Sequence, residues 1–323
     1  ERDGEEAAYL PEPPVDLSVT HNGSGELVAA WQAGPNGDPF GDPASAYLLY
    51  TSSDGRSWSE GEVVSDTKAI LKTKAGEQVF VRVAAVNDGG VSFPTETLGA
   101  RRSPDGWAPV LIVSAFDRLR ASILVWEEVP TLDWIVRMPL ERVNPFDTTV
   151  SAAHAVANAG WYYDTVSDEA FDGMDLSDYH LIVWTAGQES TEDETLSGDQ
   201  QLDIRGFLTA GGSVLVTGSE VLWDLDHMGS SDDQAFARDV LKATMKADDA
   251  GTQVAWGVGL MEGVSLEFSE SSGAPYPVGY PDALQSEGET IVEYEGGETA
   301  GVLHANVAVL GFPFECIGDP ASR

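Results

Sequence analysis

Cysteine occurs once in the 323 residues, so no disulfide can close within the chain. The single thiol, Cys316, lies in the apolar stretch "GFPFECI" and reads as a small core residue, because free cysteine is among the most buried residue types. Lysine is scarce, with five residues, and basic side chains total 17 against 54 acidic ones, a formal net charge of −37. The acids are scattered along the whole chain, so the charge belongs to folded surfaces. Such a field excludes nucleic acid and anionic lipid as partners, since both would add like charge. Long hydrophobic runs are missing too. No stretch reaches the roughly 18 apolar residues of a membrane span, and no membrane insertion is expected. Cys and His never take zinc spacing. The Gly-rich "AGGSV" and "NDGGVS" lack the Lys and hydroxyl context of a phosphate loop.

What is present is a folded composition, 42% hydrophobic with nine Trp, in a chain long enough for two or three domains. A surface rich in carboxylates and poor in Lys suits high ionic strength, where screening shortens self-repulsion to about 3 Å at 1 M salt. It suits equally an ordinary acidic secreted protein. Residues 1–10 are acidic and expected to be loose. "ERDGEEAAYLPEPP" reads as a mature terminus left after removal of a signal peptide, which implies a secreted or cell-surface location.

From residue 11 to 102 the pattern is short and alternating. "VDLSVT", "ELVAAW", "AYLLYTS", "AILKT", "VFVRVAAV" and "TETLGAR" are separated by Gly, Asp, Asn and Pro turns, the spacing of a β-sandwich. "RRSPDGWAP" gives a linker over 103–109. Over 110–323 the pattern changes. "PVLIVSAF", "DYHLIVWTAG" and "SVLVTGS" are continuous apolar runs, as for strands buried on both faces. "DTTVSAAHAVANAG", "SGDQQLDIRGFLTAGG", "EVLWDL" and "SSDDQAFARDVLKATM" read as helices, and "WYYDTVS" as a strand. The alternation predicts an α/β doubly wound, mostly parallel sheet. From about residue 252 the chain is strand-rich and extends that sheet or adds a β-layer.

The stretches "PVDLSVT", "YLLYTSSDGRSW" and "VFVRVAAVNDGGVSFPTETLGAR", with Trp31 as core plug, resemble a fibronectin type III domain. Val79 stands where that family carries its corner Tyr. The order of "HLIVWTAG", helix and "GGSVLVTGSE" resembles the class I glutamine amidotransferase-like fold, a flavodoxin-like arrangement in which a nucleophile elbow carries Cys. Here Gly218 and Ser219 stand at that turn, which speaks against glutamine amidotransfer. As a set, "SAFDR", "DYHLIVWTAGQEST", "GGSVLVTGSEVLWDLD", "DDAG" and "GFPFECI" resemble the amidotransferase-like domain of secreted bacterial proteins labelled xanthan lyase or N-acetylmuramoyl-alanine amidase, found beside golvesin-type modules. That resemblance implies an extracellular protein acting on or binding glycan or peptidoglycan, and a chain that continues past Arg323.

Ligands collect beyond the carboxyl ends of strands in an open α/β sheet. The residues there are Asp117 and Arg118, then Gln188 and Glu189, then Ser219, Glu220 and, one turn on, Asp224. Three strand ends deliver charge or hydroxyl to one rim. An enzyme would place Ser219 or Glu220 at the reactive centre, use Glu189 and Asp224 to tune charge, and hold an anionic group with Arg118. Polar residues at strand ends also cap helices, and that reading stays open beside the first. A Ser nucleophile needs a His base, for which His227 and His304 are candidates. "DLDHMGSSDD" fails as an EF-hand because Met228 takes a ligand position and Ala235 replaces the closing Glu. An irregular Ca²⁺ site using Asp224, Asp226, Asp232 or Asp233 stays open, as does metal or acid/base use of Asp248 and Asp249. The competing function class is a non-catalytic structural, adhesion or assembly protein that recognises a cell-surface protein or assembles with itself.

Overall fold

A computed structural model describes residues 8–118, 125–137, 144–191 and 194–323. Residues 1–7 of the acidic lead-in expected to be loose lie outside the described residues. Tyr9 is anchored: its amide donates to Asp42 and its carbonyl accepts from Asn87.

In chain order the first strands are β1 (Val15–His21), β2 (Leu27–Gln32), β3 (Ala46–Ser52), β4 (Glu62–Val64) and β5 (Lys68–Leu71). They continue with β6 (Gln78–Asn87), β7 (Gly90–Pro94), β8 (Leu98–Arg101) and β9 (Val110–Ser114). A hairpin of β10 (Val125–Val129) and β11 (Asp133–Arg137) precedes helix α1 (Thr148–Asn158), β12 (Tyr163–Ser167) and the single turn α2 (Asp168–Phe171). Next come β13 (Leu181–Gly187), α3 (Gly198–Thr209), β14 (Ser213–Gly218) and α4 (Ser231–Phe236). The remaining strands are β15 (Ala243–Ala247), β16 (Val254–Gly257), β17 (Ser265–Glu267), β18 (Ala283–Ser286), β19 (Glu289–Tyr294), β20 (Thr299–His304) and β21 (Val307–Leu310). The chain divides into two compact units, one of Glu1–Val113 and Val156–Asp178, the other of Ser114–Ala155 and Tyr179–Arg323.

The first unit is a two-sheet sandwich. One sheet runs β12-β1-β2-β5, antiparallel at each step. The other runs β4-β3-β6-β7, with β8 continuing along the edge of β6 that β7 leaves. Alternation in the sequence becomes alternation in burial, as in β2, where Leu27, Ala29 and Trp31 face inward. Trp31 meets Tyr47 edge-to-face at 5.4 Å inside a core that includes Leu17, Leu49, Val79 and Val83. Burying side chains of this size stabilises by about 1.5–3 kcal/mol each. The strand read from "WYYDTVS", β12, adds to this sandwich by pairing with β1. Its Asp164 accepts from the ring Nδ1 of His21 at 2.6 Å, while His21 Nε2 accepts from the Ser103 amide. That amide fixes the tautomer: Nδ1 carries the proton.

The second unit has a mixed sheet in the order β17-β16-β19-β20-β21-β14-β13. The parallel pairings include β13 with β14 and β14 with β21. From β21 outward the neighbours are antiparallel, including β20 with β21, β19 with β20 and β16 with β19. Where the sequence predicts a doubly wound, mostly parallel sheet, the structure shows a mixed sheet with parallel strands and few helices. Its strand-rich last third extends the sheet. Helix α3 crosses over from β13 to β14, started by a capping box between Ser197 and Gln200. The stretch read as one long helix, "SSDDQAFARDVLKATM", is α4 followed by a π-helical turn over Ala237–Leu241. Lys242, at φ 58°, ends it, and "ATM" begins β15.

Candidate functional site

The rim lies in the second unit, at the carboxyl ends of β13 and β14. Gly218 closes β14, and a side chain there would crowd Ala186 and Val221. The Ser219 amide donates to the Gly187 carbonyl at 2.8 Å. Glu220 then takes φ 64°, the left-handed region that residues with a Cβ avoid. Its carbonyl accepts the Asp224 amide at 3.0 Å, opening the helical turns that follow. The residue held in the strained position between strand and helix is thus Glu220. Backbone strain of this kind concentrates at functional sites.

Ser219 is fully buried, and its Oγ has no hydrogen-bond partner among the described residues. Neither candidate histidine serves it as a base. His304 pairs with Val307, and Val307 with Val214, which puts it at the amino end of β14. Five residues of strand, about 16 Å, separate that end from Ser219. His227 stacks on the Trp223 ring at 4.5 Å.

Three sequence candidates do converge. Glu189 is buried, and its Oε2 accepts from the amides of both Asp117 and Arg118, at 3.1 and 3.0 Å. It thereby fixes the backbone that carries Arg118. The Arg118 guanidinium lies 3.7 Å from the Glu220 carboxylate and donates to the Gln188 carbonyl at 3.3 Å. Both ion-pair side chains are nearly covered, at 12% and 11% exposed. The Gln188 side chain reaches outward instead, donating to the Pro277 carbonyl and accepting from the Gly279 amide at 2.7 Å. One side chain thus fastens the 277–279 segment to the rim.

Two further acids face this group. Asp282 is completely buried; its Oδ2 accepts the Leu222 amide at 2.9 Å and satisfies an orphan donor of the first turn. Its Oδ1 has no hydrogen-bond partner among the described residues. Burial pushes its carboxyl well above the usual range against the pull of the Leu222 amide, and Asp248 and Glu220 push it further. Asp248 is raised as well, by burial first and then by Glu220 and Asp249. The rim therefore sets the Arg118–Glu220 ion pair near Asp248 and Asp282, two carboxyls that keep their protons to higher pH.

The other candidates go elsewhere. Asp224 Oδ2 accepts the Thr195 amide, Asp226 Oδ2 the Met245 amide, and Asp249 Oδ1 the Gly251 amide. Asp233 joins the Ser230 capping box, and Asp232 lies in the first turn of α4. Among the described residues, Asp226, Asp232, Asp248 and Asp249 do not gather into a group of three metal-ligating atoms. Asp282 carries no sequence signal, since a lone Asp after "VGYP" is indistinguishable from a turn residue.

One more acid is buried in the second unit. Glu315 is fully buried, accepts from Tyr276 Oη at 2.5 Å, and is pushed up to about 7 by burial. Cys316 packs beside it in the core, its thiol pushed well up, again by burial first.

No family model matches the chain. No curated protein matches it. Solved structures that match over part of it include a human fibronectin type III domain from fibronectin type III domain containing protein 3, at 23% identity, 31% of this chain and 94% of that one, TM-score 0.26. The sixth such domain of that human protein matches at 16% identity, covering 31% and 93%, TM-score 0.26. Domains A168–A170 of titin match at 22% identity over 28% of this chain, TM-score 0.25, and the chain spans 31% of that structure. No helix among the described residues is long and apolar enough to cross a membrane. These matches lend nothing to the amidotransferase-like resemblance. The first unit is a two-sheet β-sandwich, and the second holds a mixed sheet with parallel strands.

Proposed function

We propose that this is a secreted, envelope- or matrix-associated protein whose mixed-sheet unit, an amidotransferase-like α/β domain, acts on or binds extracellular glycan or peptidoglycan. The observation that carries the reading is Glu220, a carboxylate on left-handed backbone at a strand-to-helix turn, ion-paired to Arg118. In hydrolysis, Glu220 takes a proton from water as the water oxygen bonds to the anomeric carbon. The glycosidic bond breaks, and its oxygen leaves with the proton of Asp248. Two carboxyl groups in these roles are the common equipment of glycoside cleavage. Arg118 orients Glu220, and Glu189 holds Arg118 in place.

The test is a hydrolysis screen against extracellular glycans and peptidoglycan, with and without Ca²⁺, comparing the native chain with Glu220→Gln and Asp248→Asn. Loss of a general acid or base lowers the rate by roughly 10²–10⁴. Activity untouched by both substitutions would overturn these roles. A second reading is favoured by the covered ion pair and the Gln188 clamp, which leave little open surface at the rim. It is a non-catalytic adhesion or assembly protein that keeps the turn without its chemistry. Absence of hydrolysis on every substrate supports it.

A further inference from the structure

The hairpin of β10 and β11 forms its own two-stranded sheet. Isolated hairpins are marginally stable at best, so its two exposed tryptophans need a reason. Trp126 is 66% exposed and Trp134 is 59% exposed. In the register, Trp126 faces Val136 and Glu128 faces Trp134. Alternate residues share a face, so Trp126, Glu128, Trp134 and Val136 lie together on one side. The two rings are diagonal neighbours, about 7–8 Å apart at the backbone. Arg137 and Glu127 form an ion pair, and both belong to the opposite face. Glu128 is therefore the charged residue among the tryptophans, within a chain of net charge −37.

We infer that the Trp126–Trp134 face of this hairpin is a docking platform for a sugar polymer bearing amino groups. The inference rests on the reading of the chain as a glycan-directed protein. Flat, uncovered indole rings offer a floor for the C–H face of a pyranose. An ammonium group on the sugar is attracted to the ring face and to Glu128 at once. The net charge points the same way, since it repels uronates and other acidic glycans and opposes a second copy of the chain. A cluster of exposed aromatic side chains is otherwise an aggregation liability.

The experiment is a titration of the full chain with a short chitosan oligomer, its fully N-acetylated counterpart, an oligogalacturonate and a Lys-rich peptide, read by tryptophan fluorescence and calorimetry. The native chain binds the chitosan oligomer best, and Trp126→Ala with Trp134→Ala weakens that binding by about tenfold or more. Glu128→Gln, a surface change that leaves the fold intact, weakens the chitosan oligomer and leaves the N-acetylated one unchanged. Equal binding by native and tryptophan-less chains overturns the platform while leaving the glycan reading standing. Binding of none of the sugars overturns both. Tighter binding of the Lys-rich peptide overturns the platform in favour of a basic-peptide surface.

Discussion

Arg118 and Glu220 form an ion pair at 3.7 Å in which the acidic partner sits on left-handed backbone. The charge and the strain occupy one residue, so they can be separated by substitution. Glu220→Ala and Glu220→Gly both remove the carboxylate, but only glycine takes φ 64° without cost. The glycine variant is expected to be the more stable by about 1 kcal/mol in urea unfolding. Equal stabilities would mean that the turn relaxes when the ion pair is lost.

Glu315 makes stability depend on pH. Its folded value, about 7, lies above its ordinary 4.5, so the folded chain holds a proton that the unfolded chain releases. Its contribution to stability is full below about pH 4.5 and falls as pH rises through 7, by at most on the order of 3 kcal/mol. Asp282, raised in the same direction, adds to the fall. Glu315→Gln keeps a partner for Tyr276 and removes the titration. Its urea midpoint should change less between pH 5 and pH 7.5 than that of the native chain; identical pH slopes would exclude Glu315 as the source.

Gly187→Ala should unfold the rim locally. Gly187 has φ 52°, and a methyl group there would strike the Phe116 ring. Phe116 directly precedes Asp117 and Arg118, so relief of the collision displaces the amides that Glu189 holds. Strain and overpacking together are expected to cost about 2 kcal/mol or more, read as a lowered thermal midpoint.

The sandwich offers an independent test in His21. Replacement by Ala removes the 2.6 Å partner of Asp164, whose side chain is 3% exposed, and takes the acceptor from the Ser103 amide. A loss of about 3 kcal/mol is expected on unfolding. A change under 1 kcal/mol would show that water replaces both contacts.

Much of the sandwich is legible in the sequence because one face of each strand is wet, and alternation such as that of "ELVAAW" survives into burial. Strand direction in the second unit is not legible. "HLIVWTAG" becomes a parallel strand and "VAVLGF" a strand parallel to one neighbour and antiparallel to the other, yet both read as the same apolar run. The end of the helical stretch at Lys242 turns on a single left-handed residue, which periodicity does not register. The rim was legible as a set of strand ends, and Arg118, Glu189 and Glu220 meet there. Which of Ser219 and Glu220 takes the left-handed position was not, because a single backbone dihedral leaves no mark on the residue pattern. Asp282 stayed hidden because its burial is set by a distant segment of chain, its amide donating to the Gly311 carbonyl.

The turn at residue 220 also gives the chain a usable address. Cys316 is the lone native thiol and is fully buried, so Glu220→Cys would add a second thiol at a position that is itself nearly covered. It would stand beside a guanidinium at the start of a helical turn, surroundings that favour the thiolate. A maleimide would then react only when that cover opens, and its rate would measure how often the rim does so.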